Sequence, residues 1–143
     1  MSDNAAIVRQ FVEEILNRGD CDGACRFICE DYIHLAPLPG QEQGLVGFQK
    51  TLREVGVAFP DICWSVEEQL TDGDRVVSRF VWTGTHQGHF LGVAPTGRRV
   101  TVWGMALDRL VDGRIKETRF LMDVPGLMAQ LGVIPAGQAE ALS

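Results

Sequence analysis

The sequence predicts an α+β domain, a block of helices followed by a block of antiparallel strands, with the helices packed on one face of a curved sheet. Three observations predict it. Apolar residues recur at three- and four-residue intervals up to Pro60, the period changes to two from Ile62, and Asp-Gly turn signals punctuate the second half. A length of 143 residues with 45% hydrophobic composition suits one domain with a substantial core, read as a single unit over 1–143.

In "AIVRQFVEEILNRGD", Ile7, Val8, Phe11, Val12, Ile15 and Leu16 form one apolar stripe that Gly19 ends, which predicts an amphipathic helix. "CDGACRFICEDYI" reads as a second, shorter helix ending near Asp31. The prolines and glycines of "APLPGQEQG" predict a loop, and "LVGFQKTLREVGVAF" a third helix closed by Pro60. The strands follow as "ICWSVEEQL", "RVVSRFVWTGTH", "RRVTVWGMALDRLV" and "RIKETRFLM", rich in valine, threonine and aromatics. "TDGD" and "VDGR" supply turns, and the second places Asp-Gly between two long strands, a strong hairpin signal. "VPGLMAQLG" predicts a closing helix, and the tail after Pro135 is expected to be loose.

Charge and composition narrow the partners. The net charge is −6 and the 13 basic residues are scattered, so neither nucleic acid nor an anionic membrane is an expected partner. No apolar run reaches the length of a membrane span, and "MSDNAAIVRQ" lacks the order of a signal peptide, so a soluble, cytoplasmic chain is expected. Cys21, Cys25 and Cys29 stand at i, i+4 and i+8, which on a helix would line one drifting stripe; with Cys63 they are expected to be reduced, packed thiols and not metal ligands.

The chain carries no G-x-S-x-G elbow, no phosphate loop and no dinucleotide fingerprint, and His34, His86 and His89 lack the spacing of a zinc set. What remains is acid–base chemistry by a carboxylate in an apolar pocket. In "ETRFLMDVPG", Arg119, Leu121 and Asp123 share one face if the segment is a strand. Burial raises a carboxylate's pKa, and a neighbouring arginine lowers it. Two readings of Asp123 stand: a working acid–base residue, or an N-cap of the closing helix paired with Arg119. Asp108 and Glu117 are weaker candidates. By alternation Asp108 lies opposite in parity to Met105, Leu107 and Arg109, and the sequence does not say which set faces a pocket.

"FVEEILNRGD", "GFQKTLREVGVAFPDI", "FLMDVPGLMAQLG" and above all "GTHQGHFLGVAPTGRR" resemble the SnoaL-like polyketide cyclase family over nearly the whole chain. The resemblance implies the fold of nuclear transport factor two and ketosteroid isomerase: a cone in which a strongly bent, mixed or antiparallel sheet wraps around N-terminal helices and a deep apolar pocket. It also implies homodimers or homotetramers built through sheet faces, and closure of an aromatic polyketide ring by intramolecular aldol condensation without metal or organic cofactor. The family's catalytic aspartate matches Asp123. His34, His86 or Arg119 would supply the oxyanion donors, and Trp64, Trp82, Trp103, Met105 and Leu121 the walls against a small hydrophobic or aromatic substrate. The family pattern is broken at Thr118 and Arg119, where many members carry histidine or tryptophan. Epoxide hydrolases of the same fold use an arginine bridging two aspartates, so Arg119 and Asp123, with Asp108 as the third member if its strand places it inward, keep a hydrolase in view, as well as a tailoring hydroxylase or a non-catalytic binder of a hydrophobic ligand.

Overall fold

The computed structural model describes residues 3–35 and 41–133. Helix α1 (Asn4–Phe11) starts where the Asp3 side chain accepts the Ala6 N–H at 3.2 Å, and it runs on into a π-helical turn over Val12–Leu16. Its apolar stripe is the predicted one: Val8, Phe11 and Ile15 are buried.

The second predicted helix is not one. A 3₁₀ turn over Asp22–Arg26 leads directly into strand β1 (Ile28–His34). Spacing in so short a window fits both periods, and the pairing that decides between them is nonlocal: β1 lies parallel to the last strand, Ile28 against Ile115 and His34 against Thr118. Cys29 is therefore on a strand, and the three-cysteine helical stripe does not form. Part of the predicted loop, residues 36–40, and the tail after Pro135 lie outside the described residues.

The remaining elements follow the periodicity. They are α2 (Gly44–Ala58), β2 (Cys63–Asp72), β3 (Arg75–Thr85), β4 (Arg99–Val111), β5 (Arg114–Met122) and α3 (Val124–Gln130). Asp112 and Gly113 both take positive φ, 51° and 78°, as a two-residue type I′ hairpin between β4 and β5 requires. The sheet is open and five-stranded in the order β1-β5-β4-β3-β2; only the β1–β5 pairing is parallel.

Alternation gives the sheet two unlike faces. Val100, Val102, Gly104, Asp108 and Leu110 of β4 are buried beneath the helices, while Trp103 and Met105 are exposed on the other side. A register shift between Arg109 and Leu110 inserts one extra residue in β5, so Ile115 and Thr118 are both buried although their parity differs. Gly104 lacks a side chain where one would meet the Phe80 ring, and that leaves Phe80 stacked on Phe120 at 5.2 Å.

Three carboxamides pair with strand backbone. Asn17 accepts Trp64 N–H at 2.6 Å and donates to its carbonyl at 3.0 Å. Gln43 does the same for His34, at 2.7 and 3.0 Å, and Gln130 for Thr101, at 2.8 Å both ways. Two core clusters form, one under α1 around Phe11, Ile28 and Ile115, the other under α3 around Phe59, Trp82 and Leu127. Among the described residues no helix is long and apolar enough to cross a membrane.

Candidate active site

Between the two core clusters lies a cavity of about 270 Å³, lined from both and roofed by α1 and α2. That volume is near the lower end of small-molecule sites, about 300–1,000 Å³. Its walls are aromatic: Trp64 lies 5.1 Å from Phe80 and 5.9 Å from Trp82, ring to ring, and Phe59 meets Trp82 edge-on at 4.9 Å. Phe90 joins the wall from a tight turn whose second residue, Leu91, is held at φ 48°. The lining residues that are exposed are Arg18, Gly19, Gly56 and Pro60, which marks the mouth between the end of the first helical segment and the end of α2.

Deep in this cavity is a carboxylate, and it is Asp108. Only 5% of it is exposed, and burial pushes its carboxyl up to about 6. Thr118 opposes that shift by donating its hydroxyl to Asp108 Oδ1 at 2.6 Å. Burial raises the Tyr32 phenol well above its ordinary value against the opposing effect of Thr118, so it stays protonated. Tyr32, Thr118 and Asp108 all line the cavity. His34 lines the same space; burial lowers its pKa, favouring the neutral imidazole, and its Nδ1 is buried without a hydrogen-bond partner. The Trp82 indole N–H is likewise unpartnered.

The other expected site residues are elsewhere. Asp123 does not line the cavity: its carboxylate accepts the Gly126 N–H at 3.0 Å and caps α3, the second of the two readings. Arg119 is exposed on the outer face of β5 and makes no ion pair with Asp123. His86 is fully buried against Phe59, outside the cavity lining, with its Nδ1 accepting the Thr96 N–H at 3.2 Å. Trp64 and Trp82 are walls as expected, but Trp103, Met105 and Leu121 are 52%, 42% and 66% exposed on the outer face. Alternation carries all three away from the helices. The arginine-bridged pair of aspartates is thus not assembled.

In the sequence Asp108 stands close to a hairpin end, where a charged residue is usually solvated. The signal was weak on both sides: Trp103, Met105 and Leu107 make the outer parity of β4 as apolar as the inner one.

An α+β domain of this topology has counterparts among known proteins. Residues 6–131 match the SnoaL-like polyketide cyclase family, and the chain belongs to it. It is 32% identical over 138 residues to the aklanonic acid methyl ester cyclase AcmA of Streptomyces galilaeus, covering 92% of each chain. To the nogalonic acid methyl ester cyclase of Streptomyces nogalater it is 31% identical over 118 residues, 81% of this chain and 88% of the other. The structure of TsrD from Streptomyces laurentii superposes with a TM-score of 0.83 at 27% identity, covering 94% of this chain and 99% of that one. With cyclases as its named relatives, the chain is an enzyme of the cyclase type.

Proposed function

We propose that this chain closes a ring of an aromatic polyketide by intramolecular aldol condensation, with Asp108 as the general acid and base. The observation that carries it is the carboxyl of Asp108, buried in an aromatic cavity with a hydroxyl as its hydrogen-bond partner. A pKa near 6 leaves the group ionised at neutral pH yet more basic than a solvated aspartate. Asp108 takes a proton from a methylene flanked by a carbonyl and an ester. The enolate carbon attacks a ketone carbon of the same molecule, and the new alkoxide recovers the proton from Asp108, so that nothing is gained or lost overall.

Charge on the enolate and alkoxide oxygens needs donors. His34, with its unpartnered ring nitrogen, and the protonated Tyr32 are the groups at hand, and the Trp82 indole N–H is a third. Aromatic walls suit a flat, fused-ring substrate and keep water from the enolate. No step calls on a metal or organic cofactor. Self-association through the outer sheet face, where Trp103, Met105 and Leu121 stand exposed, completes the proposal as a homodimer or homotetramer.

Turnover of aklanonic acid methyl ester, the compound for which a relative is named, tests the reading. Asp108→Asn is expected to lower kcat by about 100-fold or more. Unchanged turnover in a folded Asp108→Asn variant would remove Asp108 as the base, and a chain that binds the ester without turning it over would be a ligand-binding protein.

A further inference from the structure

Of the side chains lining the cavity, Arg18 and Asp108 carry the strong charges, and they lie at opposite ends, Arg18 at the mouth and Asp108 deep inside. Arg18 takes part in no hydrogen bond or ion pair among the described residues. Asp20, its neighbour in sequence, is engaged with Arg26 at 3.4 Å. Glu13 and Glu14 share a shallow surface recess with Arg18, yet neither comes within the 4.0 Å of an ion pair. The backbone on either side is constrained: Asn17 is bound through both ends of its amide to Trp64, and Gly19 holds φ at 66°. Arg18 is thus anchored at the rim of an apolar cavity with its guanidinium uncommitted.

We infer that Arg18 is a specificity-determining residue, which binds an anionic oxygen group, a carboxylate or phenolate, on the end of an aromatic substrate remote from the carbon that reacts at Asp108. The inference rests on the proposed aromatic-ligand reading of the cavity. The electrostatics orient such a molecule in one sense. An ionised Asp108 repels an anionic group from the closed end, and Arg18 attracts it at the open one, where the group keeps most of its hydration. Guanidinium suits the task, since its planar donors match a carboxylate edge.

The test uses two probes, anthraquinone-2-carboxylate and its methyl ester, with binding read from quenching of tryptophan fluorescence at pH 8. The carboxylate is expected to bind the parent protein about three- to fivefold more tightly than the ester, the worth of one partly solvated ion pair. That preference is expected to vanish in Arg18→Gln, to persist in Arg18→Lys and to shrink in high salt. Equal affinities in the parent, or a preference that survives Arg18→Gln, overturns the inference. Failure of both probes to quench saturably overturns the aromatic-ligand reading along with it. A carboxylate preference in the parent, lost in Arg18→Gln, beside undiminished turnover in Asp108→Asn, would leave Arg18 standing and sink the acid–base assignment alone.

Discussion

Asp108 and Thr118 face each other across β4 and β5 as directly paired residues, with Thr118 Oγ1 2.6 Å from Asp108 Oδ1 on the buried side of the sheet. The carboxyl sits in apolar surroundings, and this hydroxyl holds down a pKa that burial drives up. The balance between the two sets the pH at which Asp108 becomes the carboxylate that the proposed mechanism needs.

Activity is therefore expected to rise with pH through about 6 and to level off above it, since the proposed proton abstraction needs the ionised form of Asp108. Thr118→Val removes the opposing contact and should move the midpoint of kcat/KM upward by about half to one pH unit, the worth of one hydrogen bond. Thr118→Ser should keep it in place. A pH profile of the three proteins checks both.

Stability should run the other way. The folded state holds the Asp108 proton more tightly than the unfolded chain, so the contribution is fully present below about pH 4 and is lost as pH rises through about 6. From 3.8 to about 6 the loss amounts to roughly 3 kcal/mol at most, at 1.36 kcal/mol per pKa unit. Asp108→Asn, which stays uncharged, should be more stable than the parent at pH 8 and comparable at pH 4. Urea unfolding at the two pH values reads the difference.

Asp123→Ala separates cap from catalyst. Losing the 3.0 Å bond to Gly126 should cost about 1 kcal/mol and lower Tm by a few degrees, with kcat unchanged. Thermal melts beside turnover assays settle it, and a collapse of kcat at retained stability would return Asp123 to the mechanism.

On the outer face, Trp103→Arg places a charge in the middle of an exposed apolar patch. Sedimentation is expected to show the parent as a dimer or tetramer and the variant shifted toward monomer, with the cavity, on the other side of the sheet, still able to bind ligand.

Much of the fold was written in periodicity. Long elements such as α2 and β3 repeat their pattern often enough to declare themselves, and Asp112-Gly113 fixes the β4–β5 hairpin by its backbone demands alone. The helix expected over "CDGACRFICEDYI" gives way to strand β1 from Ile28 because the pairing partner, β5, lies more than eighty residues away. The site was harder. Counting back from the turn pairs Val111 with Arg114 and Leu110 with Ile115, which would set Asp108 opposite Glu117. The extra residue in β5 shifts the partner to Thr118, and nothing in the local sequence announces it. Asp123 carries both a capping and a catalytic meaning by its position before a helix, and the structure shows the capping contact, to the Gly126 N–H.

The carboxamides of Asn17, Gln43 and Gln130 have a consequence for the molecule in a crowded solution. Each offers a strand the donor and acceptor of a neighbouring peptide bond, on β2 and β1, the two borders of the sheet, and on β4 at Thr101, beyond the last residue that β5 pairs with. An extended segment from another chain finds those positions already taken and must displace an intramolecular bond before it can zip on. The same amides that seat Trp64 and His34 in the cavity wall thereby act as stoppers against edge-to-edge polymerisation.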